Sequence, residues 1–263
     1  MIKIISSWSN PGGSTVANIR LCNLLNENGH DCTFYGHHAW HLDKCKGDTL
    51  DNVNPSEDDI LISHFLTIGP EIPRKRHILT LHETNLFPLN ALTKYQLRSW
   101  DAIHYVSNSQ RKFHSVNYPY EVIPNIVYKI DAKFFDGEVA GVIGSIDEHK
   151  QTHISIQRAL KDGYKKVKVF GEITDIGYAT AQKEWIYHDN VELMGHCDDQ
   201  EKMYSQINKV YHSSKRETFN FIQAECSQMG MPYDGLDSSR SGAVYWDQER
   251  ILDKWLDLLQ LPS

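Results

Sequence analysis

Short apolar runs alternate along the chain with stretches of helical period. Ile2-Lys-Ile-Ile-Ser-Ser7 opens as a strand and the polar loop Trp8-Ser-Asn-Pro-Gly-Gly13 follows. From Ser14 the apolar positions Val16, Ala17, Leu21, Leu24 and Leu25 recur at helical spacing. Gly29 predicts the end of that helix, because glycine takes the left-handed terminating conformation without a Cβ penalty. Further strands are predicted at 32–35, 60–63, 78–82, 102–106 and 121–123. The pattern breaks between Asn125 and Glu138, then resumes with strands at 139–143, 166–170, 191–194 and 210–213 and helices between them. A last helix at about 247–260 carries Ile251, Leu252, Trp255, Leu258 and Leu259 on one stripe. Apolar strands joined by helices belong to parallel sheets covered on both faces. The reading is therefore an α/β chain in two halves, 1–130 and 131–245, with a closing helical segment 246–263.

Composition narrows this little. With 263 residues, 40% hydrophobic and 23% charged, the chain can bury two modest cores. No apolar run approaches 18 residues, so no transmembrane helix is expected. The start, Met1-Ile-Lys-Ile-Ile-Ser-Ser7, is too short and too soon polar for a secretory leader. Five irregularly spaced cysteines read as reduced thiols of a cytoplasmic protein (host cytoplasm, if the source is viral). The net charge of −7 is uneven: residues 1–135 hold 13 basic and 13 acidic side chains, 136–263 hold 14 and 21. The one candidate basic face is 74–112, with Arg74, Lys75, Arg76, Lys94, Arg98, Arg111 and Lys112. Such a stretch can contact phosphates, although most are simply solvated.

Two carboxylates stand out. Glu217 and Glu225 are separated by seven residues where a strand end, Val210-Tyr-His212, passes into a helix from Phe221 to Met229. Ligands of open α/β sheets collect at the carboxyl ends of the strands. Two acceptors spaced along such a turn can hold two hydroxyl clusters of one elongated ligand, and a nucleotide sugar has that shape. The plainer alternative is a Glu complementing a helix start and a second one solvated. Gly12 and Gly13 permit a tight turn whose amides approach an anion, or an ordinary strand-to-helix turn. Lys150 precedes a helix of the second half, and surface lysines are common there. His82 ends an apolar strand, where a structural histidine is as frequent as a functional one. His37, His38, His41 and Cys45 fit no standard ligand set, so no metal is expected.

The order of several landmarks resembles the retaining, nucleotide-sugar-dependent glycosyltransferases of family 4, whose fold, GT-B, sets two Rossmann-like domains across a cleft. They are Gly12-Gly13, Asp59-Ile-Leu-Ile-Ser-His64, His77-Ile-Leu-Thr-Leu-His82-Glu, Ala102-Ile-His-Tyr-Val-Ser107, Val122-Ile-Pro-Asn125, Gly141-Val-Ile-Gly-Ser-Ile-Asp-Glu-His-Lys150 and Asn190-Val-Glu-Leu-Met-Gly-His. Glu217, Phe219, Glu225 and Gly230-Met-Pro232 complete the series. The resemblance implies a sugar transferase whose closing segment, 246–263, packs back on the first half. It implies catalytic roles for His82 and Glu217. Gly12, Gly13, Lys150, Ser145, Phe219, Asn220 and Glu225 would bind the donor. His64, Glu83 and Asn108 would lie on the acceptor side. It implies a UDP- or GDP-sugar donor, no further cofactor or metal, and a glycan, a lipid-linked glycan or hydroxymethylated cytosine in phage DNA as acceptor. Three departures bear on this. Ser145 stands where the family places arginine, with Lys215 or Arg216 able to compensate. Thr218 and Asn220 replace glycines and would crowd the sugar pocket. The region from Tyr233 to Ser241 reads as lacking the strands of a full donor domain. The alternative is a non-catalytic sugar-nucleotide binder or assembly subunit with a degenerate site.

Overall fold

The computed structural model describes residues 1–7, 9, 12–64, 72–82, 97–114, 116–235 and 246–262. Two compact units divide the chain: Met1–Ile126 with Ser239–Ser263, and Val127–Ser238.

The first unit is built on a parallel seven-stranded sheet. Its strands are β1 (Ile2–Ser6), β2 (Cys32–Gly36), β3 (Gly47–Thr49), β4 (Ile60–His64), β5 (Arg76–Leu81), β6 (Ala102–Tyr105) and β7 (Tyr120–Val122), in the order β3-β2-β1-β4-β5-β6-β7. Every residue of β1, β2, β4 and β6 is buried, which is why these strands read as nearly unbroken apolar runs. Helix α1 (Gly13–Glu27) follows β1 and ends before Gly29, whose φ of 83° is the left-handed turn expected of it. A short helix, α2 (Asn108–His114), follows β6. At the amino ends of the central strands Lys3 bonds Asp59 at 2.7 Å, a buried pair that ties β1 to the entry of β4.

The closing helix of this unit (Gln248–Leu259) buries Ile251, Trp255, Leu256, Leu258 and Leu259. The Trp255 ring lies 4.5 Å from that of His104, and Arg76 Nε donates to the Leu258 carbonyl at 2.7 Å. Asp247 caps the helix by accepting from the Arg250 amide at 2.8 Å. Asp247→Ala should therefore cost about 1 kcal/mol in chemical denaturation, the usual worth of an N-cap.

The second unit carries a parallel five-stranded sheet in the order β10-β9-β8-β11-β12. Its strands are β8 (Val139–Ile143), β9 (Lys166–Phe170), β10 (Val191–Gly195), β11 (Lys209–His212) and β12 (Tyr233–Gly235). Helices α3 (Thr152–Lys161), α4 (Ile176–Ala181), α5 (Lys183–Ile186), α6 (Gln200–Tyr204) and α7 (Phe221–Met229) connect them. Val142, Ile156, Val167, Val169 and Tyr211 form the core on one face, and Ile143, Phe170, Tyr204, Val210 and Cys226 that on the other. One expectation fails here: Tyr233–Gly235 is a strand, pairing in parallel with β11. It is short and only half buried, so it lacks the apolar run that would have announced it. No described helix is long and apolar enough to cross a membrane.

Candidate functional site

The polar residues of the second unit that matter most stand at the carboxyl ends of β8 and β11, which are hydrogen-bonded neighbours in the sheet. After β8 the chain turns at Gly144, φ 132°, and runs through Ser145 to Lys150. Asp147 organises that loop. Its carboxylate accepts from the Lys150 amide at 2.7 Å, from Ser145 Oγ at 2.5 Å and from Thr174 Oγ1 at 3.2 Å. Ser145 is thus committed to shaping the loop, and Gln151 enters α3 in the left-handed region at φ 49°.

After β11 an irregular segment carries Glu217. Lys150 Nζ donates to Glu217 Oε1 at 2.6 Å, and His212 Nε2 approaches the same oxygen at 3.1 Å. His212 is the last residue of β11 and is buried. Burial by itself would raise the Glu217 carboxyl. The His212 hydrogen bond and the Lys150 charge outweigh it and bring the group down to about 2. Because the folded value lies below the ordinary 4.5, this carboxylate stabilises the fold above pH 4.5 and that contribution is lost as pH falls toward 2. Glu217→Gln should flatten that part of the acid limb in pH-dependent urea denaturation. An unchanged limb would contradict the pairing.

Phe219 is buried with its ring edge-on to Phe221 at 5.1 Å. Asn220 is buried directly before α7. That side chain caps α7, accepting from the Gln223 amide at 3.1 Å and donating to the Tyr233 hydroxyl at 2.8 Å. An asparagine directly before an apolar helical run is an N-cap by its nature. Glu225 lies in α7, 1% exposed, and its two oxygens accept from Gln200 Nε2 at 2.6 Å and the Tyr204 hydroxyl at 2.8 Å. Lys215 is paired with Glu148 at 2.6 Å on the surface.

In the first unit, Gly12 and Gly13 are exposed at the start of α1, and Gly12 offers no side chain to cap it. His64 ends β4 and lies 2.9 Å from Ser6 Oγ through Nδ1. His82 follows β5, with its ring edge-on to His64 at 5.0 Å. Burial, then the neighbouring His64 and His104, hold His82 well below the usual histidine range, so it is neutral at pH 7. His104 is likewise lowered by burial, to about 4, and lies 2.7 Å from Thr80 Oγ1 and 2.8 Å from the Ile123 carbonyl. Asn108 is exposed at the start of α2, and Glu83 lies outside the described residues. In the basic stretch, Arg74 and Arg76 are spent on backbone carbonyls at 2.7–3.0 Å, whereas Arg111 stacks over the Tyr120 ring at 4.6 Å. His41 is buried with both ring nitrogens on carbonyls, those of His38 and Asp48, and no metal-binding group occurs among the described residues.

His212, Asp147, Gln200 and Tyr204 are the residues that sequence reasoning missed. Only His212 left a signal, a polar residue closing an apolar strand just before the loop of interest.

No protein-family model matches the sequence, and no functionally described protein matches it by sequence. Solved structures do match by fold. Anabaena Alr3699/HepE in complex with UDP and glucose aligns at TM-score 0.65 and 14% identity, over 92% of this chain and 81% of that one. An alpha-glucosyltransferase in complex with UDP and a 13-mer DNA aligns at 0.64 and 14%, over 98% and 89%. WaaG, a glycosyltransferase involved in lipopolysaccharide biosynthesis, aligns at 0.62 and 10%, over 99% and 90%. The chain has the GT-B fold.

Proposed function

We propose that this chain is a retaining glycosyltransferase that moves a sugar from a nucleoside diphosphate sugar, UDP-linked in the first instance, to an acceptor hydroxyl. The observation that carries the reading is the Lys150–Glu217 pair at 2.6 Å, at adjacent strand ends of the second unit. An ammonium beside an ionised carboxylate matches a ligand with anionic phosphates next to a hydroxyl-bearing sugar. In the reaction Lys150 turns to the diphosphate and stabilises the charge that grows on the leaving phosphate. Glu217 accepts hydrogen bonds from the sugar hydroxyls and Glu225 from the ribose hydroxyls. In the first unit, the amides of exposed Gly12 and Gly13 at the start of α1 are suited to an anion. The departing phosphate takes the proton of the attacking acceptor hydroxyl, which delivers the new bond on the face the leaving group vacates. The resemblance assigns His82, neutral at pH 7, a catalytic role, and His64 and Asn108 an acceptor-side one. Lys150 supplies the positive charge that this scheme places at the diphosphate.

Two acceptor classes suit the reading: a glycan, free or lipid-linked, and a hydroxymethylated cytosine in DNA. The structural neighbours include a protein in complex with UDP and glucose and an alpha-glucosyltransferase in complex with UDP and DNA. A basic face on the first unit, with such cations as Lys75, Arg98, Arg111 and Lys112 (Lys94 lies outside the described residues), would contact DNA phosphates and make binding fall with salt.

The deciding experiment is thermal-shift screening against UDP- and GDP-sugars, followed by measuring free UDP or GDP released with each acceptor class. Stabilisation by one donor and nucleotide release with one acceptor class supports the proposal. Stabilisation without release from any donor would mark a non-catalytic sugar-nucleotide binder, and no stabilisation at all would sink both readings.

A further inference from the structure

In the proposed reaction Lys150 has two claims on it. It pairs with Glu217 in the unliganded chain, yet its charge is needed at the donor diphosphate. Once it turns to the phosphates, Glu217 loses its shortest hydrogen bond at the moment its carboxylate must be fixed and ionised to receive sugar hydroxyls. Glu217 sits on an irregular segment, which by itself holds a side chain poorly.

We propose that His212 is the positioning residue that holds Glu217 in place when Lys150 is drawn to the donor. This rests on the sugar-transfer reading above. Four features of the surroundings support it. His212 Nε2 is 3.1 Å from Glu217 Oε1, leaving Oε2 for a hydroxyl. The histidine belongs to a strand and is 3% exposed, so its ring is fixed by the sheet and not by the loop. The Tyr233 ring lies against it at 6.3 Å, and Tyr233 is anchored in turn by Asn220. Gly235 is its register partner on β12, where a Cβ would come within 2.3 Å of the His212 carbonyl, so the backbone behind the histidine is packed without slack. In the tautomer with the proton on Nε2, the ring donates to Glu217 without any charge of its own. Lys150 can then leave without freeing the carboxylate.

Two substitutions separate this role from simple packing. His212→Leu keeps apolar bulk and removes the donor. His212→Gln returns an N–H at about the reach of Nε2. The first readout needs no ligand: the carboxyl carbon of Glu217 is titrated by NMR in glutamate-labelled protein, with Glu217→Gln to assign the signal. Among the described residues, His212, Lys150 and Tyr233 are titratable groups facing that carboxyl. The midpoint should rise from about 2 toward the ordinary 4.5 in His212→Leu and come part of the way back in His212→Gln, which restores the hydrogen bond but not the coulombic contribution of the histidine. Should His212→Leu not fold, Lys150→Met provides the same test. With the lysine gone, the Glu217 midpoint should remain below 4.5 because His212 still donates.

The second readout compares UDP with UDP-glucose by calorimetry. His212→Leu should bind UDP like the wild type and lose about tenfold or more of the extra affinity that glucose brings, the worth of a hydrogen bond to a charged group. His212→Gln should recover most of it. An unmoved Glu217 midpoint in His212→Leu, or a folded His212→Gln as impaired as His212→Leu, would overturn the assignment. A wild-type protein that binds neither UDP nor UDP-glucose would instead remove the sugar-transfer reading, and the carboxyl titration would still decide whether His212 holds Glu217.

Discussion

Lys150→Ala should lower sugar transfer by roughly 10²–10³-fold, the usual cost of deleting one group aimed at developing charge. The loss belongs mainly in kcat. The ground-state diphosphate already carries its charge, but the bond to the departing phosphate adds more, and only the ammonium at that position meets the increment. Steady-state release of free nucleotide, measured with the donor found by thermal shift, gives the number directly. The unliganded protein should respond too. Lys150 and Glu217 side chains are 27% and 13% exposed, so solvent screens the pair in part. Removing the lysine should cost about 1 kcal/mol and no more, because His212 still satisfies the carboxylate. In a double-mutant cycle with Glu217→Gln, the couplings for activity and for stability should therefore differ in size. Activity within tenfold of the wild type in Lys150→Ala would remove the lysine from the reaction.

The elements that sequence reasoning reached are those whose burial is enforced on both faces. β1, β4 and β8 have no exposed residue, and strands in that position are mostly apolar, their few polar side chains, such as Lys3 and His64, being hydrogen-bonded. β3 and β12, Gly47-Asp-Thr49 and Tyr233-Asp-Gly235, sit at sheet edges and are made by pairing with β2 and β11. Nothing in three polar or half-buried residues predicts that. The same division runs through the site. Lys150 and Glu217 are 67 residues apart, and only the resemblance to a known motif order suggested them as parts of one site. His212 contacts Glu217 because β11 ends beside the turn, and Asp147 matters because its loop folds back on the Lys150 amide. Both depend on where chain segments come together, which spacing does not encode. Asn220 is a different case. Its position directly before the apolar run of α7 already spelled an N-cap, and the family pattern drew attention away from that local signal.

Gly171→Ala should damage fold and site together. Gly171 follows β9 at φ 156°, and its amide donates to the Gly195 carbonyl at 2.8 Å. A Cβ there would lie 1.9 Å from the carbonyl oxygen of Gly144 and 2.6 Å from its carbon. Both are backbone atoms, so no side chain can swing aside, and β8 or β9 must shift at its carboxyl end. Backbone strain and overpacking each cost about 1–3 kcal/mol, which places the substitution at about 2–6 kcal/mol. Gly144 begins the loop that Asp147 ties to the Lys150 amide, so the displacement is passed directly to the lysine. Protein that still folds should lose the low Glu217 midpoint and most of its activity. Gly163→Ala is the matched control. Gly163 also has a positive φ, 93°, but a Cβ there meets nothing within 4 Å. It should cost only about 1–2 kcal/mol of backbone strain and leave the site intact. Chemical denaturation of the two variants beside the wild type separates strain from collision. If the two cost the same, the close approach of β9 to Gly144 does not set the position of Lys150, and the lysine must owe its placement to the Asp147 hydrogen bonds alone.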